Sequence, residues 1–145
     1  MKVVVDTGPL LAAANPRDRA NELARKLLRA GRSHVLVPLP VLAEVDYMVR
    51  TRVGPRAARR LLAEIAGGVH TAVFMTPGLL RRAAEIDARH GDLGLGVVDS
   101  CVMAYAERHD LPILTFDFAH FRAAASARGY WRMIIDERRY AEATK

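Results

Sequence analysis

Short β-branched runs alternate with longer stretches of helical periodicity along the 145 residues. The runs VVV at 3–5, HVLV at 34–37, TAVF at 71–74, PILTF at 112–116 and WRMIID at 131–136 predict strands. Helix signals lie between them. Gly8-Pro9 opens LLAAAN, RANELARKLLRAG follows Pro16, and Pro40 opens VLAEVDYMVRTR. Gly54-Pro55 separates that helix from RAARRLLAEIAGG, and Thr76 predicts an N-cap with Pro77 at the first helical position of a helix reaching about His90. LGVVDSCVMAYA at 95–106 starts the next helix, which stops near Leu111-Pro112, and the polar tail DERRYAEATK reads as a short helix or a frayed end. Strands alternating with helices imply a parallel sheet covered on both faces, a three-layer α/β domain. No repeat, low-complexity tract or linker interrupts the pattern, so a single domain over 1–145 is expected.

Composition adds a sign of charge. Lys+Arg number 22 against 16 Asp+Glu, a formal net charge of +6, and nearly all the basic residues are arginine. That balance favours a polyanionic partner such as nucleic acid, although an arginine- and alanine-rich composition also follows from a GC-rich genome. The lone Cys101 cannot form an intrachain disulfide, and the apolar stretch in MKVVVDTGP is too short for a signal peptide or a membrane span, so a cytoplasmic protein without a membrane partner is expected. A GxxxxGK[ST] loop does not occur, which argues against nucleotide hydrolysis.

Four carboxylates stand out against this pattern. Asp6 follows the first strand and precedes Thr7-Gly8-Pro9; it is either a cap for the next helix or a group at a strand's carboxyl end, where open parallel sheets bind ligands. Glu44 falls on the border of the apolar face set by Val41, Val45 and Met48, as a solvated flank or a functional group. Asp99 lies within the apolar arc of Val98, Val102, Met103 and Ala106. A first-turn dipole effect of roughly 0.3–1 kcal/mol is smaller than the several kcal/mol of burying a bare carboxylate, which leaves either the dipole or a bound cation to account for it. Asp117 ends PILTF, as a turn or cap residue or as a fourth acid, while its neighbours Phe116, Phe118 and Phe121 read as packing. Two acids at strand ends and two on helix faces can converge on one cleft. Their mutual repulsion then calls for something positive, and hard oxygen donors suit Mg²⁺ or Mn²⁺. A basic protein with an acidic metal pocket matches a nuclease.

The stretches VVVDTGPL, PLPVLAEVDYMV, GLGVVDSCVMAYAERHDLPILTFD and FAHFRA resemble those of a PIN domain, and more closely of the VapC toxins of bacterial type II toxin–antitoxin pairs, over nearly the whole chain. The resemblance implies an α/β/α sandwich with a parallel sheet of four or five strands and a Mg²⁺-dependent endoribonuclease, with Mn²⁺ able to substitute. It implies that Asp6, Glu44, Asp99 and Asp117 form the catalytic, metal-binding quartet, and that Thr7, Ser100 and Thr115 are hydroxyl residues supporting those acids, with ordinary capping as the alternative. Asp92 in HGDLGLG is a further acid near the site or a loop residue. The implied partners are a VapB-like antitoxin sending a basic side chain toward the acids, structured tRNA or rRNA as substrate, and a second copy in a homodimer.

Arg50, Arg52, Arg56, Arg59 and Arg60 form either an RNA-facing patch or a solvated helix face. His34, His70, His90, His109 and His120 are scattered without paired spacing, although His120 follows Asp117 by three positions. A metal-free, histidine-dependent ribonuclease is therefore a rival reading, and a non-catalytic RNA-binding module of the same fold is a second. Retention of all four acids counts against the latter.

Overall fold

The structure, a computed structural model, describes residues 1–30 and 34–145. Strand β1 (Val3–Val5) leads into helix α1 (Thr7–Ala14), and α2 (Asn21–Ala30) precedes β2 (Val35–Pro38). Helices α3 (Leu39–Arg52) and α4 (Pro55–Ala66) then lead to β3 (Thr71–Val73). Next come α5 (Pro77–Arg89), a 3₁₀ turn (Gly91–Leu93), α6 (Gly96–His109), β4 (Ile113–Leu114), α7 (Phe118–Ala123) and α8 (Glu137–Ala143). Gly31, the last residue of the helix expected after Pro16, lies outside the described residues.

The four strands pair in parallel in the order β3-β2-β1-β4. Val4 stands between Leu36 on one side and Ile113 on the other. Because β2 and β3 extend the sheet in one direction and β4 in the other, the strand order reverses at β1/β4. Crevices at such a reversal, beyond the carboxyl ends, are where open α/β sheets place ligands. The Asp6 amide bonds the Leu114 carbonyl at 2.9 Å, so the two strand ends stay in register there.

Helices flank this sheet, α6 packing against β1, β2, α3 and α5, and α3 also against α1 and α4. The inner strands are wholly buried, which explains their continuous rather than alternating apolar runs. Val41, Val45 and Val49 of α3 and Val102, Met103 and Ala106 of α6 supply the helical side of the core. Thr76 caps α5 by accepting from the Leu79 amide at 3.2 Å, with Pro77 first in the helix, as the sequence predicts.

The strand expected at 131–136 is reduced to one parallel bridge, Ile113 with Met133. Strand β4 is two residues long, so it offers little edge to pair with. On the far side Asp136 accepts from the Arg139 amide at 2.8 Å, turning the chain into α8, while the Trp131 indole N–H is held by the Ala124 carbonyl at 2.6 Å. The polar tail is the short helix α8, whose Tyr140 ring lies 4.7 Å from Phe116 and 5.5 Å from Phe118. Those phenylalanines pack as expected, and Phe121 is buried in the core. Helix α7 is an element that the sequence pattern did not announce.

Candidate active site

Asp6 occupies the cap position of α1 by its backbone but makes no capping hydrogen bond. Its side chain turns instead toward β4, where the Thr115 hydroxyl donates to Oδ2 at 2.9 Å, and the residue is 5% exposed. The cap reading is thereby replaced. Burial, then the charge of Asp99, pushes its carboxyl up to about 6, against the opposing pull of the Thr7 amide and the Thr115 hydroxyl.

Asp99 is placed by the entry to α6. Gly94 and Gly96 both have positive φ, 63° and 77°, which lets the chain turn from the 3₁₀ segment into the helix. Asp87 on α5 accepts from the Gly96 amide at 3.0 Å, fixing the start of α6 from outside. Asp99 then lies in the first turn, its side chain 14% exposed, with Oδ2 2.7 Å from Nδ1 of His120. Burial raises its pKa, and the charges of Asp117 and Glu44 add to the rise, while the bond from His120 opposes it.

Asp117 does two things at once. One oxygen caps α7 by accepting from the His120 amide at 3.3 Å, and the other lies 2.9 Å from His120 Nδ1. Thr115 joins the two strand ends, because its hydroxyl oxygen also accepts from the Asp117 amide at 3.0 Å. His120 thus sits between two carboxylates. Partial burial works against its charged form, but Asp99 and Asp117 outweigh that and raise its pKa. Asp99, Asp117 and His120 each offer a ligand atom within 4.8 Å of the others.

Glu44, on α3, is exposed; it acts on Asp99 through its charge, without a hydrogen bond between them. Among the described residues no lysine or arginine forms an ion pair with any of the four acids. Thr115 is the one expected hydroxyl that bonds an acid. The Oγ atoms of Thr7 and Ser100 are buried without a hydrogen-bond partner, one beside Asp6 and the other beside Asp99 in sequence. Asp92 is exposed in the 3₁₀ turn. Arg50 is engaged by Asp46 through two hydrogen bonds of 3.3 and 2.9 Å, whereas Arg52, Arg56, Arg59 and Arg60 are exposed.

Two features escaped the sequence reading. The first is the central place of His120, signalled only by its spacing from Asp117. The second is a groove of about 550 Å³ between α1, α2 and α4, floored by Leu10, Leu28 and Leu61 and edged by Arg25, Arg29 and Arg60. None of the four acids lines it. The site opens to solvent as a shelf at Asp117 and His120, 41% and 31% exposed at the side chain, whereas Asp6 and Asp99 are largely buried; such an open edge suits a polymer rather than an enclosed small molecule.

A donor set rich in carboxylate oxygen, with no lysine or arginine paired to it among the described residues and containing a buried acid with a raised pKa, fits a divalent cation. The profile of the PIN domain family matches residues 3–126. Ribonuclease VapC26 of Mycobacterium tuberculosis (strain ATCC 25618 / H37Rv) is 30% identical over 122 residues, covering 83% of this chain and 90% of that protein. The crystal structure of the sarcin-ricin loop cleaving toxin VapC20, also from Mycobacterium tuberculosis, superposes with a TM-score of 0.73 at 24% identity, over 82% of this chain and 94% of that one. The DNA-bound VapBC of Salmonella typhimurium gives a TM-score of 0.65 at 18% identity, over 92% and 96% of the two chains. With the parallel sheet, the acids at its point of reversal and these likenesses together, the chain belongs to the PIN domain family, among the VapC ribonuclease toxins.

Proposed function

We propose that this protein is a Mg²⁺-dependent endoribonuclease that cleaves structured RNA, tRNA or rRNA, as the toxin of a toxin–antitoxin pair. The observation that carries the reading is the meeting of Asp6, Asp99 and Asp117 at the β1/β4 reversal with Glu44 in electrostatic reach and, among the described residues, no arginine or lysine paired to them. These four acids would hold the ion, Mn²⁺ serving in place of Mg²⁺. When bound, the ion supplies Lewis-acid activation of the attacking water and neutralises charge developing on the phosphate oxygens.

The chain's own residues prepare that chemistry. Thr115 fixes the Asp6 carboxylate by donating to Oδ2 and orients Asp117 by accepting from its amide. Asp87 and the two glycines set the first turn of α6 and hence Asp99. Glu44, exposed at the rim, would complete the oxygen donors of the ion from α3. Arg52, Arg56, Arg59 and Arg60 supply positive charge for the RNA backbone. In-line attack by water leaves 5′-phosphate and 3′-hydroxyl ends.

A VapB-like antitoxin is the proposed partner, supported by structural neighbours solved as toxin–antitoxin complexes, and a basic side chain from it would meet the shelf of acids. A homodimer and a cytoplasmic location belong to the same reading; among the described residues no helix is long and apolar enough to cross a membrane. Mapping RNA 5′ ends after induction tests the whole proposal. New ends should appear at defined RNA sites with the wild type and vanish with Asp99→Asn; unchanged ends with a folded Asp99→Asn would refute it.

A further inference from the structure

We propose that His120 is itself a ligand of the metal centre, through Nδ1, and that its imidazole strengthens the binding of Mn²⁺, the ion that serves in place of Mg²⁺. This rests on the reading that the acids hold a divalent cation. Nδ1 lies 2.7 Å from Asp99 Oδ2 and 2.9 Å from Asp117 Oδ2. Ligands at 2.0–2.1 Å and right angles around an octahedral ion stand about 2.9 Å apart. Without an ion these are hydrogen-bond separations, the Nδ1 proton shared with the two carboxylates. An ion would take the place of that proton, and the nitrogen already keeps the spacing of a neighbouring donor to both oxygens.

The backbone holds it there. Asp117 caps α7 through the His120 amide, and Phe118 and Phe121 anchor the same short helix in the core. On the other side the Leu93 backbone, in the 3₁₀ turn, accepts a hydrogen bond from the ring. Ligating histidines commonly have their second ring nitrogen oriented by such a contact. The site is more than a group of acids, because an imidazole nitrogen stands among them, within 4.8 Å of a ligand oxygen of Asp99 and of Asp117.

The choice of ion follows from the donor type. Mg²⁺ favours oxygen and sheds water reluctantly, whereas nitrogen donors strengthen binding along the first-row transition series. Replacing one oxygen by an imidazole nitrogen shifts the balance toward Mn²⁺.

Electron spin echo envelope modulation of the full chain loaded with Mn²⁺ tests this directly. The wild type should show directly bonded ¹⁴N modulation that changes to ¹⁵N on labelling with [¹⁵N]histidine and disappears in His120→Asn. In titrations the same variant should lose about tenfold or more in Mn²⁺ affinity, with Mg²⁺ affinity little changed. Bound Mn²⁺ without histidine-nitrogen coupling in the wild type overturns the proposal and leaves the carboxylate reading standing. Failure to bind Mn²⁺ at all, or full binding and cleavage by Asp99→Asn, overturns both.

Discussion

Asp6→Asn should make the metal-free protein more stable, by an amount that depends on pH. Asp6 is 5% exposed, and its carboxyl rises from the ordinary 3.8 to about 6, chiefly through burial and then through Asp99. A carboxyl whose pKa rises on folding binds its proton more tightly in the native chain than in the unfolded one. It carries no penalty below the unfolded value, and the penalty grows as pH climbs through the interval, reaching its full size above about 6. At about 1.4 kcal/mol per pH unit, the full penalty is on the order of 3 kcal/mol. Asparagine keeps the size of the side chain and can still accept from Thr115, so the substitution removes the charge without breaking that bond. Urea denaturation in chelator should show the variant more stable by about 3 kcal/mol at about pH 7.5, with the gap closing toward about pH 4. Equal stability near neutral pH, or a gap that does not change with pH, would refute the assignment of Asp6 as a buried, uncompensated acid.

Other consequences are open to the same kind of measurement. Divalent metal at about 100 times its dissociation constant should stabilise the wild type by about 2.7 kcal/mol, and Asp6→Asn or Asp99→Asn much less, by thermal denaturation. Thr115→Val removes the hydroxyl that bridges Asp6 and the Asp117 amide; it should cost about 1–2 kcal/mol and lower turnover, read by denaturation beside an RNA cleavage assay. Glu107 holds Arg82 at 2.6 and 3.0 Å and accepts from the Ala127 amide at 3.1 Å, and Arg82 keeps its carboxyl below the ordinary 4.5. Its contribution is present above that value and is lost as pH falls through the lowered one. Glu107→Gln should therefore cost about 1–2 kcal/mol near neutral pH, less in acid, and leave cleavage unchanged.

The alternation of apolar runs with capped helices sufficed for the three-layer plan, because inner parallel strands are apolar on both faces and Pro and Gly mark helix ends locally. What depends on neighbours distant in sequence was less legible. The run at 131–136 has strand composition, yet two residues of β4 leave it only one bridge. Asp6 has the sequence context of a cap, and only the approach of β4 brings Thr115 to it and turns it away from α1. Asp99 was legible because burial of a charge breaks the periodicity of its helix. His120 broke no pattern: its position follows from α7, six residues long and capped by Asp117, which carries too few positions for periodicity to register. The support of α6 by Asp87 was hidden for a different reason, since an acid on an amphipathic helix looks solvated until the partner amide is placed.

The central claim, metal-dependent hydrolysis by the acids at the β1/β4 reversal, is met most directly by end-group analysis of RNA cut by the purified protein, with Mg²⁺ and with chelator. The account predicts 5′-phosphate and 3′-hydroxyl products that require the metal and are absent with Asp99→Asn. Cleavage that continues in chelator and leaves 2′,3′-cyclic phosphate ends would contradict it and would move the chemistry from the carboxylates to the histidines.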